Sequence, residues 1–289
     1  MDDVCHSLVA HPDNSNWTIV TAAPVTSQVI GVFAAVVFTG VILLFQQAPP
    51  SEDSDHYRYS SRALVTMLCS FVSLSLASFL FSVVSGEELC GRAFAEGAAA
   101  GALFGIGATG MFLSICWLFA AHRIGGHTVI WVKLLMVVEM LAAWTFIALT
   151  VFDAVQAIEL TPQNPVTSGL VWWGTAPALS PLLIFVAMRR LPRLRAAIER
   201  RSARMFEMAT GFSIFCIVLA IAYVTLITIY TSRDTFPIVI RVGITGTVAV
   251  ALSLYFVNMM TIRRVEAPAK DRLVRTRESL LHLLDLNGR

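Results

Sequence analysis

The sequence predicts an all-α integral membrane protein: a seven-transmembrane-helix bundle with its N-terminus outside and its C-terminus in the cytoplasm. Three observations carry this expectation: an apolar composition, seven apolar runs of membrane-spanning length, and basic residues confined to alternate connections. Of 289 residues, 56% are hydrophobic and 14% charged, and the mean hydropathy is +0.72. A soluble domain usually carries about 25% charge. A globular core of this length could not hide so much apolar surface, so lipid must serve as part of the solvent. The net charge of +2 lends no support to nucleic-acid binding.

Residues 1–24 contain Asp2, Asp3 and Asp13 but no Lys or Arg. The positively charged start of a signal peptide is therefore missing, and this stretch is expected to be an extracytoplasmic tail followed by an uncleaved span. That first span is residues 25–45, twenty-one residues that at 1.5 Å each match a hydrocarbon core of about 30 Å. Pro49 and Pro50 then forbid continuation of the helix. Residues 63–84, 92–121, 129–152, 170–188, 206–230 and 238–260 pass the same length test. The fifth of the seven runs holds Gly174, Pro177 and Pro181, which should kink or break it. Three regions follow: the tail 1–24, the bundle 25–260 and a cytoplasmic basic amphipathic tail 261–289. No connection is long enough for a separate soluble domain.

Orientation follows from the basic residues. Residues 46–62, 122–128, 189–205 and 261–289 hold seventeen Lys and Arg, whereas the opposite side holds Arg92 and Arg233 only. By the positive-inside rule the first group is cytoplasmic. The alternation runs through every connection and so favours seven crossings over six. Trp172, Trp173 and Tyr230 fall at outer ends and Trp131 at an inner end, as interfacial anchors do. Basic residues other than Lys133 and Lys270 are Arg, and with the Ala and Gly richness this points to a GC-rich bacterial genome and a bacterial inner membrane. The plasma membrane, with the chain multi-pass, is the expected location.

Cys5 and Cys90 fall on the outer side, where a disulfide can form, while Cys69, Cys116 and Cys216 lie within spans. Asn16-Trp17-Thr18 is a glycosylation acceptor pattern on the same side, meaningful only in a pathway that recognises it. In the third span Gly97, Gly101 and Gly105 recur every four residues, and Ala93 extends the stripe. Small residues on one face let a second backbone approach closely, so the third span is expected to be central. Gly243, Thr247 and Ala251 offer a similar face on the seventh.

Ionisable residues within spans are the best functional pointers, because a charge near the bilayer centre costs at least ~2.5–3.5 kcal/mol. Glu139 lies halfway along the fourth run and is expected to face the bundle interior, as a proton or cation site, a ligand-sensing group, or a structural hydrogen bond. Glu96 and Arg241 lie at similar depth near the outer surface and fit an ion pair if their helices are neighbours. His122 and His127 flank a cytoplasmic Gly125-Gly126 turn without the carboxylate or thiol a metal set needs, so neither metal nor other cofactor is expected.

Two cytoplasmic segments hold most of the positive charge. After Pro192, Leu194, Ile198 and Met205 share a side among Arg195, Arg200, Arg201 and Arg204, which reads as an inward extension of the sixth helix. Beyond Pro268, Leu273, Val274, Leu280, Leu281 and Leu284 share a face that Arg277 interrupts. Contact with anionic lipid headgroups is the expected role; a cytoplasmic protein partner or self-association is the alternative.

No His-Glu-x-x-His zinc pattern, phosphate-binding Gly loop or nucleophile-elbow Ser occurs, so no enzyme activity is expected. The plan is that of rhodopsins, but the seventh run contains no Lys for a Schiff base. Asp-Arg-Tyr and Asn-Pro-x-x-Tyr receptor patterns are missing too, and the two halves show no repeat. Two functions compete: a non-enzymatic sensor or partner-binding protein signalling through its Arg-rich inner segments, and a channel or proton/cation-coupled transporter centred on Glu139.

Overall fold

The structure, a computed structural model, describes residues 19–46, 55–87, 90–122, 126–159, 201–229 and 245–262, with scattered positions between 183 and 198. The described residues form six long helices: α1 (Ile19–Gln46), α2 (Asp55–Val84), α3 (Cys90–Ala121), α4 (Gly126–Glu159), α5 (Ser202–Ile229) and α6 (Thr245–Thr261). All of α1, Tyr57–Val84 of α2, Ala95–Ala121 of α3 and Ala203–Leu226 of α5 are long and apolar enough to cross a bilayer. Thr247–Met260 of α6 is a shorter apolar helix. The described residues are thus all-helical, and the protein is membrane-embedded. Only helices satisfy their own backbone groups within each segment, which is why apolar runs of this length become helices and nothing else in lipid.

The helices outlast the apolar runs at several ends. α1 begins ahead of Pro24, so residues 19–24 belong to the helix and not to the tail in which the sequence places them. Ile19, Val20 and Ala23 are buried there, and the Ile19 side chain occupies the space where Gly97 of α3 would carry a Cβ. That contact offsets the backbone hydrogen bond which Pro24 cannot donate. α2 starts at Asp55, ahead of its apolar run, and α4 extends through the whole of residues 129–152 and on to Glu159. Of the fifth run only Leu183, Val186 and Ala187 are described, all helical; the rest lies outside the described residues, as do residues 1–18, 238–244 and 263–289.

α3 is the hub. It packs against α1, α2, α4, α5 and α6, and nearly every described position from Ala95 to Gly110 is buried. Lipid gives helix association no hydrophobic reward, so close packing and interhelical hydrogen bonds must hold the bundle. α3 supplies the first through its small residues. A Cβ on Gly107 would lie 2.8 Å from Leu74 Cγ of α2, and one on Gly110 would collide with Ser70 Oγ.

Hydroxyl groups supply the second. Ser27 Oγ donates to the Ser78 carbonyl at 2.8 Å while Ser78 Oγ donates to the Ser27 carbonyl at 2.9 Å, a reciprocal clasp between α1 and α2. Ser213 and Tyr255 join α5 to α6 through their hydroxyls at 2.7 Å. Asn258 Nδ2 donates to the Met205 carbonyl at 3.1 Å across the same pair.

Aromatic packing closes one end of the bundle. Arg62, near the start of α2, is 7% exposed and lies 5.1 Å from the Trp117 ring of α3 and 5.2 Å from the Phe206 ring of α5. Tyr59 stacks on Trp117 at 5.6 Å. Cation–π contacts hold this guanidinium where the start of α2, the end of α3 and the start of α5 converge. At the same end, Lys133 of α4 donates to the Ile262 carbonyl at 2.9 Å, just past the C-terminus of α6. A cation at a helix C-terminus meets carbonyls left without intrahelical donors.

The packing makes a contrast that is measurable. Gly107→Leu should destabilise the protein by about 1–3 kcal/mol through overpacking, whereas Gly211→Ala, with nothing within 4 Å of the added Cβ, should be neutral or stabilising. Thermal unfolding in detergent reads both; an unchanged midpoint for Gly107→Leu would contradict the tight α2–α3 approach.

Candidate functional site

Two places in the bundle set a polar group against buried neighbours, although Glu139 itself is only partly buried. The first is Glu139, at mid-helix on α4. Its neighbours Met136, Met140 and Ala143 are buried on the same face, which α4 turns toward α3. Thr109 Oγ1 on α3, in a fully buried residue, lies 2.8 Å from Glu139 Oε2 and 2.7 Å from the Gly105 carbonyl, one turn back. A hydroxyl carries one hydrogen, so it donates to one of these oxygens at a time. With a proton on Glu139, the acid donates to Thr109 and Thr109 donates to Gly105, and each bond has its own hydrogen.

Thr109 was readable in the sequence as the next member of the series Gly97, Gly101 and Gly105, though a hydroxyl there does not identify its partner. The series also does not point one way. Each four-residue step overshoots a full turn by about 40°, so the stripe winds around α3. Gly97 meets Ile19 of α1, while Thr109 meets Glu139 of α4. Gly101 and Gly105 are buried between them. Gly107 and Gly110, outside the series, make the α3 contacts with α2.

The second place is a cavity of about 110 Å³ between α3, α5 and α6. Ala99, Leu103 and Ile106 form its α3 wall, Cys216, Leu219 and Tyr223 its α5 wall, and Thr247 and Val248 its α6 wall. The lining is almost wholly apolar. Tyr223 lies on the α5 wall, and its hydroxyl is buried and has no hydrogen-bond partner. Glu96 precedes Ala99 by three residues on α3 and is not among the residues that line the cavity.

Glu96 is fully buried within the protein. Arg92 Nε bonds Glu96 Oε1 at 3.1 Å and approaches Glu87 Oε2 at 2.9 Å. The partner of Glu96 among described residues is therefore Arg92, one turn away on the same helix. Arg241 lies outside the described residues, although α3 and α6 are indeed neighbours.

Of the other residues singled out in the sequence, Cys5 lies outside the described residues, and Cys90 heads α3 with a side chain that is not described. Arg201 and Arg204 are exposed at the start of α5. Arg201 N bonds the carbonyls of Ala197 and Ile198, and Met205 N bonds the Arg201 carbonyl, so helical hydrogen bonding runs across this junction. Arg200, Leu280, Leu281 and Leu284 lie outside the described residues. Among the described residues no group of three or more His, Cys, Asp or Glu is placed to hold a metal ion. The chain matches no family model, no curated protein and no solved structure.

The Glu139 contact has a measurable worth. Thr109→Val should cost about 0.6–1.7 kcal/mol, the range for interhelical hydrogen bonds in lipid, and Thr109→Val should cost nothing further once Glu139 is Leu. A double-mutant cycle on unfolding in detergent measures this coupling; additive effects would mean that the two side chains do not interact.

Proposed function

We propose that the protein is a non-enzymatic membrane sensor. It receives a small ligand in the cavity between α3, α5 and α6, and it reports through the Arg-rich segment at the inner end of α5. The observation that carries this reading is that α5 belongs to both places. Cys216, Leu219 and Tyr223 line the cavity, and the same helix begins among Arg201 and Arg204. α5 also exposes Met208, Phe215, Val218 and Leu226 outside the bundle. A helix with so little of its surface packed against neighbours can shift at modest energetic cost. Anionic headgroups or a cytoplasmic partner would read the displaced Arg cluster.

The competing reading, a channel or proton/cation-coupled transporter, depends on Glu139 facing a water path. Against it stands the bond from Thr109 to Glu139, and the carboxyl is not among the residues lining the cavity.

A seven-span topology with the N-terminus outside is part of the proposal. The start of α2, the end of α3 and the start of α5 share one end of the bundle, and the start of α4 adjoins the end of α6 there. α4 leaves that end and α5 begins at it. The chain between Glu159 and Ser202 must then return across the bilayer, which supports the fifth span and an odd count. The positive-inside pattern makes the shared end cytoplasmic, in a bacterial inner membrane.

Thiol labelling checks the topology. In a cysteine-free background, Gln163→Cys should react with an impermeant reagent from outside and Ala203→Cys only after permeabilisation; reaction of both from one side removes the fifth span. The role is checked in liposomes and by co-purification. The wild-type protein should carry no pH-coupled flux that Glu139→Gln abolishes, and truncation after Pro268 should release a cytoplasmic protein that the full-length chain retains. Glu139-dependent flux, or the absence of a retained protein, would overturn the sensor reading.

A further inference from the structure

The cavity between α3, α5 and α6 is a slot parallel to the helix axes. Its α3 wall runs from Ala99 to Ile106 and its α5 wall from Cys216 to Tyr223, a rise of about 10 Å on each helix. The two walls are antiparallel, because the end of α3 and the start of α5 meet at Trp117 and Phe206. Ala99 is therefore near the level of Tyr223, and Ile106 near that of Cys216. The slot also lies at a definite depth. Ala99 is about 6 Å, and Ile106 about 16 Å, beyond Ala95, where the apolar stretch of α3 begins. Half of a hydrocarbon core is about 15 Å. The slot thus occupies one leaflet, from just below its headgroups to the midplane.

It has a buried floor and a half-exposed rim. Leu103, Ile106, Cys216 and Val248 are buried, whereas Ala102, Ala220 and Thr247 are half-buried and Leu219 is 39% exposed. Leu219 joins the rim to the outer surface of α5, where Val218 is exposed. At this depth the medium outside the bundle is hydrocarbon. Alanine at 99, 102 and 220 leaves space in the wall that longer side chains would fill. Water is a poor fit, since it needs two to four polar partners and the lining is carbon almost throughout. A volume of about 110 Å³ drawn out over about 10 Å is also far too thin for a further helix, which is about 10–12 Å across.

We infer that the slot takes the lower part of one acyl chain of a bilayer phospholipid, whose headgroup stays in the leaflet at the start of α3. An extended polymethylene chain is long, thin and apolar, which matches the length, bore and lining of the slot. It enters sideways from the surrounding lipid, past Leu219, and displaces no polar group. Dispersion contact with the floor supplies the attraction, so the site selects a chain and not a headgroup. The assignment shares the premise of the sensor reading, that the cavity takes a ligand, rests on that reading for any signal, and names the ligand as a chain drawn from the bilayer.

A phosphatidylcholine carrying a diazirine near the end of one chain tests the assignment when photolysed with the full-length protein in phosphatidylcholine nanodiscs, the adducts being mapped by mass spectrometry. Val218 faces lipid and should be labelled in any case. Cys216, at the deep end of the floor, should be labelled as well, whereas Cys116, buried on α3 outside the slot, should not. Ala220→Leu, on the half-exposed rim, should lower the ratio of Cys216 to Val218 labelling about tenfold, the scale of one overpacked site. Ala102→Leu, from the α3 wall, should do the same and serves as the test if Ala220→Leu fails to fold. Cys216 labelled no more than Cys116, or labelled equally with and without the added leucines, would overturn the assignment. A fluorophore on Ala203→Cys in a cysteine-free background separates this outcome from the sensor reading. Labelling of Cys216 that the leucines suppress, with no spectral difference between the parent and its Ala220→Leu variant, keeps the chain and overturns sensing.

Discussion

Because helices in lipid gain nothing from hiding apolar surface from one another, contact between them depends on how closely their backbones can approach. In this protein that approach is made by α3. Gly107 and Gly110 bring its backbone against Leu74 and Ser70 of α2, and Gly97 leaves room for Ile19 of α1. The other described helices are arranged around this one small-residue surface, and the functional features lie on it or beside it. Thr109 holds Glu139 on one flank, and Ala99, Leu103 and Ile106 form a cavity wall on another. A bulkier α3 would separate the helices whose junctions make both sites.

The polar groups in the bundle fall into two kinds. Many serine and threonine side chains bond a carbonyl one turn back on their own helix, while Ser27 with Ser78, Ser213 with Tyr255, and Asn258 with Met205 join neighbouring helices. Arg62 belongs with these, since its guanidinium is held over Trp117 and Phe206 at the meeting of three helices. Glu96 Oε2 and the Tyr223 hydroxyl are buried without a hydrogen-bond partner, as are Ser73 Oγ and the indole nitrogens of Trp117 and Trp144. Structural polar groups in lipid are satisfied within the protein.

Much of the architecture was legible in the sequence because its cause is local. An apolar run of about twenty residues has no alternative to helix within hydrocarbon, so the first four and the sixth expected spans coincide with helical segments, and the described part of the seventh is helical too. The ends were less legible. Pro24 marks a boundary by its own chemistry, yet α1 runs through it because Ile19 finds space at Gly97. The candidate site was legible only in part. Glu139 and Glu96 stand out as charges in apolar runs, but the partner of each is set by rotation and depth: Thr109 from a facing helix, and Arg92 from the same helix.

By itself, then, the sequence determined that this chain lives in a membrane, that its segments are helical, and which of its residues are too polar to be there without a reason. Those properties depend on composition and on spacing along one chain. Tertiary structure alone decided that the glycine series of α3 winds from α1 to α4 instead of lining one seam, and that Tyr223 on α5 shares a cavity with Ala99 and Leu103 on α3. The reason is geometric. A helix turns each residue by about 100°, so which faces meet depends on how whole cylinders pack, and no local pattern carries that information.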